Sequence, residues 1–282
     1  FKGDAISTTS ELVKISSDGN LGLEEGQKFE RGGIYRFTVD VTKGNTKAVL
    51  TVEKIGKVDL PAPDIFFGND KMEVTDTDIY KSEQVFTQGQ MITVTGIDNL
   101  NEWWIDPDFF EKQSDGALKF LPINGDYRVT ANAVLKYFSV MALKDGKPAK
   151  LQDDGTGAIW AIGKGIGKPS VTSSEVGWEP SKALCLAQVA PKKYQLTLKA
   201  GETLKTSGDS EVISFKFFHQ NDWGGEFGNY ANSILVEQLK LTDSGNLEMQ
   251  DNKAFEEGAV YRFTIDVTNG NANADLKVEK IN

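Results

Sequence analysis

The sequence predicts an all-β chain built from tandem antiparallel β-sandwich domains of immunoglobulin-like type. Three observations point there. Apolar and polar residues alternate with period two through several short runs. The 28 glycines, about 10% of the chain against a usual ~7%, fall with asparagines between those runs, where turns need residues that tolerate positive φ. No stretch of 12 residues carries an apolar period of 3.6.

In chain order, residues 35–41 place Tyr35, Phe37, Val39 and Val41 on one face and Arg36, Thr38 and Asp40 on the other, the pattern of a half-buried strand. Residues 49–55 make its partner, and Lys43, Gly44 and Asn45 turn between the two. Further strands are expected at 91–95, 127–130, 134–141, 158–162, 184–188, 194–199 and 212–218. The same hairpin returns at 260–268 and 274–281, turning at Asn269, Gly270 and Asn271. Turn-rich sequence near 57–63 and near 146–157 marks two boundaries.

That second hairpin belongs to an internal repeat. Residues 1–56 align with 227–282 without a gap, at an offset of 226, and 26 of the 56 positions are identical. Tyr35 to Thr42 falls on Tyr261 to Thr268, and Val52 to Ile55 on Val278 to Ile281. The offset is too long for a solenoid repeat and has the length of a whole one- or two-domain unit. The predicted organisation is a segment at 1–57 that is the C-terminal half of a preceding unit, a sandwich at 58–150, and a second sandwich at 151–282 whose tail, 227–282, repeats 1–56. A half-domain buries little core on its own. Its missing half is therefore expected upstream, with packing against the following unit as the alternative. The start at Phe1, without a Met, reads as a processed or partial chain.

Composition excludes several chemistries. A single cysteine, Cys185, leaves no intramolecular disulfide and no multi-Cys metal site. A single histidine, His219, excludes His₂ and His₃ metal sites and leaves one residue for a nucleophile–His mechanism, for which no G-x-S-x-G motif is present. The net charge of −10 argues against a nucleic-acid partner, which calls for basic side chains on phosphates. The longest apolar runs, about five or six residues, are far short of the ~20 that span a bilayer, and no signal-peptide pattern is present.

Few segments carry recognisable site chemistry. Residues 163–170 (Gly-Lys-Gly-Ile-Gly-Lys-Pro-Ser) lack the phosphate-loop spacing and read as a Gly-rich connection between strands. The acidic turns 98–102 and 153–157 invite calcium but lack the EF-hand spacing. No cofactor and no metal are expected. The aromatic clusters say more. Flat rings stack on the C–H faces of sugars, and neighbouring amides and carboxylates hydrogen-bond to hydroxyls. Residues 215–227 combine Trp223 with Gln220, Asn221, Asp222 and Glu226, and the Asn-Asp before and Gly-Gly after Trp223 mark an exposed turn. Trp178, in Gly-Trp-Glu, and Trp160 complete this candidate set. Trp103 and Trp104 form a secondary cluster whose two rings point opposite ways in an extended segment. The alternative for each Trp is a place in the core. As residues i and i+2 of a strand, Asp106 and Asp108 would share a face, and that spacing permits a glycosidase pair, which keeps hydrolysis open.

The motifs at 103–111 (Trp-Trp-Ile-Asp-Pro-Asp-Phe-Phe-Glu), 155–163 (Gly-Thr-Gly-Ala-Ile-Trp-Ala-Ile-Gly) and 215–227, with the closing Tyr-Arg-Phe-Thr hairpin, resemble a family of surface proteins from polysaccharide-utilisation systems of Bacteroidetes, related to SusE/SusF-type glycan-binding lipoproteins. The resemblance implies sandwich modules like those of carbohydrate-binding modules and non-catalytic glycan binding. It also implies an outer-membrane uptake complex as partner, and a cell-surface location through a lipidated Cys upstream of these residues, which internal Cys185 cannot supply. A glycoside hydrolase and a structural spacer are the alternatives.

Overall fold

The computed structural model describes residues 5–282 and is nearly all β, in antiparallel sheets, as the alternation predicts. The chain divides into two compact units, Phe1–Ala62 and Pro63–Asn282.

The first unit holds β1 (Ile6–Thr8), β2 (Val13–Ile15), β3 (Leu21–Leu23), β4 (Gly33–Asp40) and β5 (Ala48–Lys57). The predicted hairpin is β4–β5, with Phe37 opposite Val52 and Val39 opposite Leu50. Gly44 turns it at φ +91°, a conformation that favours glycine. β1 runs parallel to β5, giving the order β1-β5-β4, and β2 and β3 form a separate hairpin.

The second unit begins with β6 (Phe66–Phe67), β7 (Asp70–Lys71), β8 (Glu73–Asp76), β9 (Ile79–Phe86), β10 (Met91–Ile92), β11 (Val94–Thr95), β12 (Phe110–Lys112), β13 (Leu118–Phe120), β14 (Gly125–Asn132), β15 (Tyr137–Lys144) and β16 (Lys147–Pro148). The main sheet has the order β16-β15-β14-β9-β8. Three expectations need correction. The strand at 91–95 is two strands, because the chain changes sheets at Thr93: β10 pairs with β13, and β11 with β6. The strand at 134–141 starts at Tyr137, since the Asn132 side chain accepts from Val134 N and Leu135 N and holds 133–136 as a turn. β9 is not among the predicted strands, because the polar Ser82 and Gln84 interrupt its inward series. Gln84 Nε2 donates to Ser82 Oγ at 2.6 Å and Phe67 O at 2.8 Å, which satisfies them there. Phe67 packs edge-on against Phe86, Phe110 and Phe138 at the centre of this core.

The remainder contains β17 (Trp160–Gly167), the single-turn helix α1 (Val171–Ser174), β18 (Glu175–Gly177), β19 (Leu184–Cys185), β20 (Ala187–Ala190), β21 (Lys193–Lys199), β22 (Ser214–Phe218), β23 (Asn232–Ile234), β24 (Leu239–Leu241), β25 (Leu247–Met249), β26 (Val260–Asp266) and β27 (Asp275–Lys280). One sheet runs β18-β17-β22-β25-β24, with β19 also on β17, and the other β20-β21-β26-β27-β23. Phe215 and Phe217, two apart on β22, reach across to Phe263 of β26 at ring distances of 5.6 and 6.4 Å, so the two sheets close a sandwich core. The Gly-rich segment that starts at 163 is not a connection: Gly163 to Gly167 lie within β17. Gly163 stands opposite Phe215, and a Cβ on it would come within 2.3 Å of Phe215 Cα. Glycine is what lets the two strands approach there.

Candidate functional site

The five tryptophans separate by environment. Trp160 lies opposite Phe218 and Cys185 on the face of β17 turned away from the sandwich core. It is 0% exposed, and its Nε1 donates to Ala149 O at 2.9 Å. This corrects its assignment as a glycan-stacking residue: its N–H is satisfied and no ring face is free. Trp103 is buried as well, stacked on Phe138 at 4.7 Å. Trp104 points the other way, donating from Nε1 to Glu202 Oε1 at 2.8 Å, with Lys168 Nζ 5.8 Å from its ring centre. Trp103 therefore offers no open face, whereas Trp104 is half-buried and lines a cavity of about 400 Å³.

Trp178 and Trp223 are the exposed ones, at 37% and 49%. They lie 45 residues apart in sequence, yet their rings stack at 6.3 Å and 26°. Gly177, at φ +58°, ends β18 and starts the chain segment that carries Trp178. Trp223 sits in the loop after β22, closed by His219 N donating to Gly225 O at 2.7 Å. Two polar residues assigned to the ligand are engaged in this loop. Gln220 Nε2 donates to Trp223 O at 2.6 Å, and Asp222 Oδ1 accepts from Trp223 N at 2.7 Å. Both bonds hold the Trp223 backbone in place. The Asn221 side-chain oxygen is buried without a protein partner, and Glu226 is exposed. Phe218 meets Trp223 edge-on at 6.0 Å and braces it from below. His219 packs edge-on against Phe227 at 4.3 Å, and burial lowers its pKa.

Beside Trp178 runs an open groove of about 430 Å³. Three lysines and three glutamates line it, each lysine paired: Lys164 with Glu211 at 3.0 Å, Lys182 with Glu179 at 2.6 Å, and Lys205 with Glu175 at 3.0 Å. Lys182 and Gly165 N, together with Lys205, hold the Glu179 and Glu175 carboxyls below the usual range, against a desolvation that at Glu175 works the other way. The groove therefore carries no excess charge from these six residues. Glu175 and Lys182 also line a second cavity of about 400 Å³ behind it, reaching Tyr137, Met141 and Lys168.

Asp106 and Asp108 are buried, and Lys168 reaches both: Nζ lies 2.8 and 2.9 Å from the Asp106 oxygens and 3.1 Å from Asp108 Oδ2. Asp108 also accepts from Thr197 N at 2.6 Å, Thr197 Oγ1 at 2.6 Å and Gln195 Nε2 at 2.7 Å. Burial opposes ionisation of Asp108, but Lys168 and these donors outweigh it and hold its pKa low. Burial, with Asp108 as a like charge, raises Asp106. The two carboxylates weighed as an alternative glycosidase pair thus tie their segment to Lys168, just after β17, and to β21. Sequence reading missed Lys168, because the partner of a buried carboxylate lies 60 residues away and leaves no local signal. In the acidic turn 153–157, Asp154 accepts from Thr156 N and Oγ1, at 2.9 and 2.6 Å. In the turn 98–102, Glu102 pairs with Lys136. Among the described residues no three His, Cys, Asp or Glu side chains converge as a metal-binding group.

A family model described as a domain of unknown function (DUF5121) matches residues 1–42 and 154–268, and a second, a domain of unknown function (DUF5125), matches 59–151. The chain belongs to the DUF5121 family. The matched segment 1–42 ends at the residue that the repeat places on 268. No curated protein matches the sequence. No helix among the described residues is long and apolar enough to cross a membrane.

Proposed function

We propose that this member of the DUF5121 family is a non-catalytic glycan-binding protein of the bacterial outer surface, part of a polysaccharide-uptake system and lipid-anchored from outside these residues. The observation that carries the reading is the Trp178–Trp223 pair: two exposed indoles aligned within 26°, Trp223 braced by Phe218 and Trp178 beside a groove of hydrogen-bonding side chains. An exposed, pre-ordered aromatic pair is costly to leave in water and fits the apolar face of pyranose rings. The matched charges of the groove favour a neutral glycan over a uronic-acid polymer, which would need unpaired cations. Weak sites of this kind gain by repetition along a polymer.

The test is affinity electrophoresis and titration calorimetry against neutral and acidic polysaccharides. Retardation by a neutral polymer is expected, with Trp223→Ala and Trp178→Ala each weakening it by about 10-fold, the loss of one aromatic contact of roughly 1.4 kcal/mol. No retardation by any glycan sinks the reading. Binding that survives the double substitution sinks the site and leaves the class.

A further inference from the structure

We propose that residues 5–62 present a docking surface for the amino-terminal half of another DUF5121 domain, a segment with the strand pattern of 154–226, joined ahead of these residues as 154–226 is joined ahead of 227–282. This goes beyond glycan binding and does not depend on it.

The internal repeat supplies the comparison. β4–β5 and β26–β27 pair in the same register: Phe37 faces Val52 as Phe263 faces Val278, and Val39 faces Leu50 as Ile265 faces Leu276. β2–β3 and β24–β25 match in the same way, Val13 on Leu23 and Leu239 on Met249. The two copies are one structure twice, but their surroundings differ. Phe263 and Val267 are 0% exposed, whereas their counterparts Phe37 and Val41 are 48% and 50% exposed. Phe29 and Leu21 are exposed where Phe255 and Leu247 are buried.

What covers the buried copy is visible in the second unit. β21 lies antiparallel along β26, with Leu196 opposite Phe263 and Leu198 opposite Tyr261. β22 pairs with β25, and its Phe215 and Phe217 fill the space over Phe263. Among the described residues of the first unit both corresponding edges are open: β4 ends its sheet, and β3 pairs with β2 alone. An open edge carries unpaired backbone donors and acceptors, and here an apolar face stands beside it, which is a template for strand addition. Two edges and one face, each matched residue for residue to a filled counterpart, specify the occupant: two strands equivalent to β21 and β22, carrying an aromatic plug. Exchange of halves with another copy of these 282 residues does not meet the requirement: each copy holds one amino-terminal half and two carboxy-terminal halves, so exchange always leaves one half per chain uncovered.

The test joins a second copy of residues 154–226 directly to the start of the full chain, so that Glu226 precedes Phe1. Binding of the apolar dye anilinonaphthalene sulfonate and amide exchange over 33–57 are compared with the unextended chain. Docking predicts loss of dye binding and exchange slowed by about 100-fold or more over β4 and β5, with Phe37→Asp in the extended chain undoing both. Unchanged dye binding and exchange overturn the proposal. So does concentration-dependent protection of 33–57 in the unextended chain, which would make a second copy the occupant. A measurement independent of the extension is the melting of the unextended chain: Phe37→Asp is expected to leave it within about 2 °C while Phe263→Asp lowers it strongly. Equal losses would mean that Phe37 is already covered, and would also overturn the proposal.

Discussion

The contrast between Trp160 and Trp223 is a contrast of hydrogen bonding and burial at single residues. Trp160 is enclosed and its indole N–H is spent on Ala149 O, so Trp160→Ala leaves a large cavity and an unpaired carbonyl. About 3–5 kcal/mol of stability should be lost. Trp223→Ala removes a half-exposed ring from a loop and should cost under about 1 kcal/mol. Urea melts of the two variants read the difference, and equal losses would remove Trp223 from any ligand-facing role. His219 gives a second expectation at this scale. Burial depresses its folded pKa below 6.5, and its Nε2 has no protein partner. The stability it contributes is complete above pH 6.5 and is lost as pH falls through the folded pKa. It is the single His of the chain, and the carboxylates with shifts titrate lower, apart from the raised Asp106, so the decline that sets in below pH 6.5 should vanish in His219→Gln. A decline of the same size in that variant would assign it to other groups.

At the scale of elements, what the sequence revealed follows from where the information lies. The β4–β5 hairpin and its copy β26–β27 were legible because alternation and a Gly-Asn turn are local, and because the repeat states them twice. β9 was not, since Ser82 and Gln84 satisfy each other and Phe67 O only once the strands are side by side. The run 158–162 was legible as a strand but its continuation through Gly163 and Gly165 was not, because glycine signals a turn unless the neighbouring strand, here bearing Phe215, is known to crowd it. The site divides in the same way. Trp223 could be read as exposed from its Asn-Asp and Gly-Gly flanks, whereas its alignment with Trp178 is a property of two separate loops brought together by β17, β18 and β22. Gln220 and Asp222 could be placed in this loop, but their hydrogen bonds to the Trp223 backbone could not be read, since composition does not show which side chains hold a loop.

Across the second unit, the strands of 63–150 and of 151–282 keep to separate sheets, yet residues 63–282 form one compact body. The buried Lys168–Asp106–Asp108 cluster sits at their junction, with Trp104 on Glu202 and Ile123 N on Gln188 O, 2.8 Å each, beside it. A buried ion cluster contributes little net stability when complete, because desolvation offsets the attraction, but it is severe when one partner is lost. Its consequence is coupling: neither part can open without stranding a charge. Calorimetry of the chain should therefore show 63–282 unfolding as one transition, with an enthalpy of about 150 kcal/mol near 60 °C from the usual ~0.7 kcal/mol per residue. Lys168→Met leaves two carboxylates facing each other without a cation, costing about 3–5 kcal/mol. Water drawn to them should loosen the junction and split the transition into parts of about 60 and 90 kcal/mol. Two transitions of those sizes already present in the unsubstituted protein would show that the cluster does not couple the halves. A single undivided transition in Lys168→Met would place the coupling in the neighbouring hydrogen bonds instead, that of Trp160 Nε1 to Ala149 O among them.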